Sequence, residues 1–123
     1  MAPAPHILVV DDDAWFRSIV RMYLEGKGYR VTDAADAATG LEAAHGDLPD
    51  LILLDLTMPE TDGWYALGKL KGDPLLTRVP VVVLTATADE STEWRAKELG
   101  AVRYVTKSVH LEDLLSTLNQ VLA

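Results

Sequence analysis

Three consecutive carboxylates, Asp11-Asp12-Asp13, follow the apolar run HILVV (6–10), and a fourth, Asp55, sits at the end of LILLDL (51–56). Two further runs end in different chemistry. VPVVVLTA (79–86) closes on the Thr85 hydroxyl and Ala86, and AVRYVT (101–106) runs through Thr106 into Lys107. If these runs are parallel strands of one sheet, all four ends share one rim. Carboxylates gathered in a partly dry crevice repel one another, and a hard divalent cation resolves that repulsion. Mg²⁺ prefers a few carboxylates together with waters and a phosphate oxygen. Carboxylates, a hydroxyl and an ammonium around such an ion make a device for holding a phosphoryl group, whose oxygens need neutralisation on several sides. Each feature alone has a plainer explanation. An acidic triplet before a helix supplies a cap and favourable dipole charges, and Asp13 is expected to be that cap. The common rim is what favours a site.

The rim depends on the elements behind it. Five short apolar runs, 6–10, 29–34, 51–56, 79–86 and 101–106, begin roughly 20 to 30 residues apart. Between the first two, Phe16, Ile19, Val20, Tyr23 and Leu24 form one apolar helical stripe, ended by Gly26-Lys27-Gly28. Leu111, Leu114, Leu115, Leu118 and Leu122 form another; 36–45, 63–71 and 89–99 are shorter helices, the last closed by Gly100. Strand and helix alternating five times predict an α/β fold, a parallel sheet covered on both faces. Runs one, three and four are almost continuously apolar, as strands buried on both faces must be. Runs two and five carry Arg30, Thr32, Asp33, Arg103 and Thr106, which suits edges. Two such edges fit the order 2-1-3-4-5, a flavodoxin-like (βα)5 doubly wound sandwich whose crevice opens where strands one and three end.

Composition narrows the function. A chain of 123 residues suits one domain, 1–123, around one core. A formal net charge of −8 argues against direct binding to nucleic acid or to an anionic membrane, both polyanions. Zero cysteines exclude a disulfide framework, a thiolate metal site and a cysteine nucleophile. No apolar run approaches the ~20 residues of a membrane span, and MAPAPH lacks the marks of a signal peptide. A cytoplasmic location without membrane insertion is expected.

The stretches ILVVDDD (7–13), LILLDLTMPETDG (51–63), VVVLTA (81–86) and GAVRYVTKS (100–108) together resemble a response-regulator receiver domain of bacterial two-component signalling. The resemblance covers nearly the whole chain. It implies that Asp55 is the phosphoacceptor for a phosphohistidine on a sensor histidine kinase or a histidine phosphotransfer protein. Asp12 and Asp55 would ligate Mg²⁺ directly, Asp11 largely through metal-bound water, and the Thr57 backbone carbonyl would add a ligand. Thr85, Ala86 and Lys107 would bind the phosphoryl oxygens, and Thr85 with Tyr104 would form the switch. Such a domain is no enzyme beyond its own phosphoryl transfer and autodephosphorylation. It would signal to a downstream protein target or a fused output domain through its fourth helix, fifth strand and fifth helix. Two departures stand out. Ser108 follows Lys107 where receivers usually place a proline with a cis bond, and Asp36-Ala37 replaces the common Asp-Gly. A trans Lys107–Ser108 bond is expected, because cis before a non-proline residue costs about 2.5–4 kcal/mol.

Other residues receive structural assignments. His6, His45 and His110 lack metal-ligand spacing and are expected at the surface. Trp15 and Trp64 are expected to pack near the site, whereas Trp94 is left between an exposed anchor and a seam filler. Lys69, Lys71, Arg95 and Lys97 read as solvated helix faces. A haloacid-dehalogenase-type phosphatase would need a second aspartate two residues after Asp55, where Thr57 stands. A flavodoxin-like cofactor binder would need a phosphate-cradling loop after the first strand. The complete acidic set, Thr85 and Lys107 argue against a constitutive scaffold.

Overall fold

A computed structural model describes residues 3–58, 62–86 and 89–123. Strands β1 (His6–Val10), β2 (Arg30–Ala34), β3 (Leu51–Asp55), β4 (Val81–Thr85) and β5 (Arg103–Thr106) alternate with five helices. These are α1 (Ala14–Gly26), α2 (Ala37–Gly46), α3 (Asp62–Gly72), α4 (Glu90–Glu98) and α5 (Leu111–Leu122). The strands form one sheet in the order β2-β1-β3-β4-β5, every pairing parallel. Parallel neighbours need crossovers, and the helices supply them on both faces.

That layering explains the unbroken apolar strands. Leu8, Val10, Ile52, Leu54, Val81 and Val83 face one layer, where Ala44, Ala66, Leu67, Leu70 and Ala96 of α2, α3 and α4 cover them. Ile7, Val9, Leu53, Val82 and Leu84 face the other, under Val20 and Leu24 of α1 and Leu114 and Leu118 of α5. Every residue of β1, β3 and β4 is buried, whereas β2 buries only Val31 and Ala34 and β5 has no fully buried position, as expected of edges.

Aspartates start three helices by the same device. Asp13 Oδ1 accepts from the amides of Trp15 (3.0 Å) and Phe16 (3.1 Å). Asp36 caps α2 through Thr39, and Asp89 caps α4 through Ser91. Each satisfies amides that the first helical turn leaves without partners. Gly100, at φ 110°, closes α4 in a left-handed conformation that side-chain-bearing residues rarely adopt.

The histidine expectation fails at His6, which is 2% exposed. Its position at the start of β1, flanked by β2 and β3, covers it from both sides. The ring is satisfied at Nε2 by Thr32 Oγ1, 2.7 Å away, and the His6 amide donates to Asp50 Oδ2 at 2.7 Å. His45 and His110 are exposed as expected, His45 Nε2 reaching Asp73 Oδ2 at 2.7 Å. Lys71 also departs from a solvated face. Its Nζ donates to the carbonyls of Thr77 (3.1 Å) and Val79 (2.8 Å), and burial pulls its pKa down. It ties the end of α3 to the loop entering β4. Trp15, expected to pack, is 73% exposed on the outer face of α1. Trp94 is 66% exposed and fills no seam.

Candidate functional site

The ends of β1 and β3 lie side by side because Val10 pairs with Leu54 in parallel register. The chain leaving β1 therefore sets Asp11 next to Asp55. Both carboxylates are buried, Asp11 at 0% and Asp55 at 1% exposure, while Asp12 is exposed. Carboxylate oxygens of Asp11, Asp12 and Asp55 all lie within 4.8 Å of one another. Asp55 pairs with Leu84, so Thr85 stands one residue further along the same rim, buried at its side chain. Thr85 pairs in turn with Thr106, and the Lys107 amide donates to the Thr85 carbonyl at 2.8 Å. Ala86 is exposed just beyond β4. The register thus carries Asp11, Asp12, Asp55, Thr85 and Lys107 to one rim.

Lys107 Nζ sits between the two buried carboxylates, 2.7 Å from Asp11 Oδ2 and 3.2 Å from Asp55 Oδ2. The bond to Asp55 has hydrogen-bond geometry. The contact to Asp11 is an ion pair only, leaving Asp11 Oδ2 a buried oxygen with no hydrogen-bond donor among the described residues. The remaining carboxylate oxygens are anchored. Asp11 Oδ1 accepts from the Asp13 amide at 2.9 Å. Asp55 Oδ1 accepts from the Thr57 amide at 2.9 Å and from Thr57 Oγ1 at 2.7 Å. Burial pushes the Asp11 carboxyl up to about 6, Lys107 and the Asp13 amide holding it down and the Asp55 charge raising it further. Burial works against the Lys107 ammonium as well, yet Asp11 and Asp55 outweigh it and raise the Lys107 pKa. Three carboxylates against one ammonium leave two negative charges, the complement of a divalent cation. An all-oxygen donor set with one buried oxygen lacking a hydrogen-bond donor fits a hard ion such as Mg²⁺.

No peptide bond among the described residues is cis, Lys107–Ser108 included. The serine therefore leaves the lysine in reach of both carboxylates, and Ser108 Oγ turns to Thr106 Oγ1 at 3.0 Å. Tyr104 is partly buried against the core on the α2–α3–α4 side. Trp64 packs at the edge of that core as expected, with the Arg95 guanidinium stacked 4.3 Å over its ring. Pro59, Glu60 and Thr61 of the second stretch quoted for the resemblance lie outside the described residues.

Supporting residues escaped the sequence reading. Arg17 Nη1 donates to the Asp11 carbonyl at 2.6 Å and its Nε to Asp33 Oδ2 at 3.0 Å, fastening the acidic loop to β2. The Lys107 ammonium lies 4.8 Å over the Phe16 ring. A Cβ on Gly63 would lie 2.5 Å from Leu56 Cα and 2.8 Å from the Asp55 carbonyl carbon, so α3 begins directly against the end of β3. Arg17 and Phe16 looked like ordinary helix positions, because periodicity reports a face and not a neighbour. Gly63 had a signal, a glycine opening a helix where glycine is a poor helix former.

A family model described as the response regulator receiver domain matches residues 7–119. Protein PilH of Pseudomonas aeruginosa is 35% identical over 117 residues, covering 95% of this chain and 97% of PilH. The DNA-binding dual master transcriptional regulator RpaA of Synechocystis is 35% identical over 118 residues, covering 96% of this chain but 49% of RpaA. The chain thus spans about half the length of regulators of that kind. Among solved structures, the Vibrio cholerae chemotaxis protein CheY4 superposes with a TM-score of 0.91 at 29% identity, covering 96% of this chain and 98% of that one. With a flavodoxin-like sheet, an acidic pocket at the strand ends and a family match across almost its whole length, the chain belongs to the response regulator receiver domains of two-component signalling.

Proposed function

We propose that the chain is a phosphorylation-controlled switch, one receiver domain over 1–123, with Asp55 as its phosphoacceptor. The observation that carries this is the Lys107 ammonium set between the buried carboxylates of Asp11 and Asp55 at the ends of adjacent strands. An Asp55 oxygen attacks the phosphorus of a phosphohistidine on a sensor histidine kinase or histidine phosphotransfer protein. The P–N bond breaks, its electron pair stays on the imidazole, and an aspartyl phosphate forms. Asp11, Asp12, Asp55 and the Thr57 carbonyl would hold Mg²⁺, which when bound neutralises the phosphoryl oxygens and the acceptor together. Thr57 fixes Asp55 Oδ1 by two hydrogen bonds, orienting the carboxylate for in-line attack. Lys107 exchanges its Asp55 contact for a phosphoryl oxygen, and the Thr85 hydroxyl and Ala86 amide take the others. Autodephosphorylation by water resets the switch.

Output follows from the exchange at Lys107 and Thr85. Thr85 pairs with Thr106 of β5 and Lys107 follows that strand, so Tyr104 on the same strand would carry the change to the α4–β5–α5 surface. The phosphoryl group favours one arrangement of that surface already present in the ensemble. A downstream protein, or an output domain fused to the receiver, reads it in the cytoplasm. Asp55→Asn is the test. The substituted chain gains no Mg²⁺-dependent phosphoryl mass from acetyl phosphate or a phosphohistidine donor, whereas the unsubstituted chain does. A stable phosphoryl group on Asp55→Asn would overturn the assignment.

A further inference from the structure

The cleft between α3 and α4 shares Thr57 and Thr85 with the site described above, but the side chains that α3 and α4 contribute to it have no role there. It encloses about 280 Å³, with Leu56 and Trp64 as apolar walls, the hydroxyls of Thr57, Thr85 and Thr92 along it, and Arg95 at its α4 side. Two of these hydroxyls adjoin the acceptor. Thr57 Oγ1 donates to Asp55 Oδ1, and Thr85 follows the partner of Asp55 in the sheet. The cleft therefore opens beside the carboxylate that takes the phosphoryl group. Stacking on the Trp64 face at 4.3 Å leaves the in-plane N–H groups of a guanidinium available for a planar anion. Among the described residues, no carboxylate pairs with Arg95.

We propose that this cleft is the leaving-group subsite for small acyl phosphates, with Arg95 holding the departing carboxylate. The inference rests on Asp55 as phosphoacceptor and assigns to that site a residue specific for donors whose leaving group is a carboxylate. An Asp55 oxygen attacks phosphorus, the P–O bond to the acyl oxygen breaks, and the electron pair leaves on the carboxylate. No proton is transferred. Negative charge that was partly delocalised into the phosphoanhydride becomes full on the leaving group, and a guanidinium is worth most at that moment. The volume lies just below the roughly 300–1,000 Å³ of sites for drug-sized ligands. It has room for a small acyl group beside Arg95.

Two donors separate this from a general role. Acetyl phosphate departs as a carboxylate, whereas phosphoramidate departs as neutral ammonia and offers Arg95 nothing to hold. The experiment measures rate constants for phosphorylation of the full chain by each donor at saturating Mg²⁺, followed by intact mass. Arg95→Gln lowers the acetyl phosphate rate constant about tenfold, the scale of one charge-assisted hydrogen bond, and the phosphoramidate rate constant less than about twofold. Arg95→Lys, which keeps the charge but neither the planar fork nor the stack on Trp64, recovers only part of the difference. Equal losses with both donors, or an unchanged acetyl phosphate rate, would overturn the subsite. Failure of the unsubstituted chain to accept phosphoryl from either donor would instead overturn the assignment of Asp55.

Discussion

At the scale of single residues, Lys107 and Asp11 divide the work of one small pocket. Lys107 contacts two carboxylates that a metal would also contact, so ammonium and cation compete for the same negative charge. Lys107→Ala is expected to leave Mg²⁺ affinity intact or tighter while slowing phosphorylation, whereas Asp12→Ala weakens Mg²⁺ binding. Titration followed by tryptophan fluorescence, with Trp15 and Trp64 near the site, measures both, and a loss in Lys107→Ala as deep as that in Asp12→Ala would refute the division. Asp11 carries a pH signature. Its folded pKa of about 6 stands above the ordinary 3.8 because burial disfavours the charge. The stability it contributes is therefore fully present below 3.8 and lost as pH rises through about 6. Asn mimics the protonated carboxyl at every pH. In metal-free buffer Asp11→Asn should melt above the unsubstituted chain at about pH 7.5, with the gap narrowing as pH falls below about 6 and closing only as it passes 3.8. A gap independent of pH would rule out Asp11 as the titrating group.

At the scale of elements, the site depends on how closely α3 approaches β3. The backbone at Gly63 presses on Asp55 and Leu56, leaving no room for a Cβ. Gly63→Ala must move either the helix or the loop that aims Asp55, an overpacking that costs about 1–3 kcal/mol. Gly68, five residues further along the same helix, has nothing within 4 Å of where a Cβ would go. There the better helix propensity of alanine should raise stability by about 0.5–1 kcal/mol. Urea unfolding of the pair reads both signs, and phosphorylation should slow only in Gly63→Ala. Equal effects of the two substitutions would mean that the contact with β3 is slack. The strand ends also explain why neighbouring positions differ in exposure. Asp11 continues a strand flanked on both sides, whereas Asp12 begins the loop and turns to solvent.

At the scale of the whole molecule, two apolar layers clamp one sheet and leave its carboxyl edge open for polar chemistry. A shift of Thr85 and Lys107 toward a phosphoryl group acts on β4 and β5 together, because the Lys107 amide is hydrogen-bonded to the Thr85 carbonyl. The α4–β5–α5 surface, carrying the exposed Trp94, is where that movement should emerge. Amide spectra with and without beryllofluoride, a phosphoryl mimic, are expected to change along this surface as well as around Asp55. Changes confined to the residues next to Asp55 would refute transmission through β5. Exposed aromatics such as Trp94 commonly anchor interfaces, and its solvent position gives the expected output face a contact residue.

Much of this arrangement was legible before any coordinates. Apolar runs without alternation, helices bounded by aspartate and glycine, and polar residues confined to two runs are local consequences of burial and backbone chemistry. They pointed to a parallel sheet with runs two and five at its edges, which fits the order 2-1-3-4-5, and that order gathers Asp11, Asp12, Asp55, Thr85 and Lys107 at one rim. Local pattern states which side of an element is buried but not what lies opposite. Tertiary structure alone decided that His6 is enclosed and paired with Thr32, that Lys71 fastens a loop, and that Trp15 faces solvent. It also decided that Arg17 grips the acidic loop and that Arg95 stacks across Trp64. Each of these joins residues from different elements. Such contacts depend on how closely two elements approach, which side-chain volume and packing set over the whole core and no single stretch of sequence encodes.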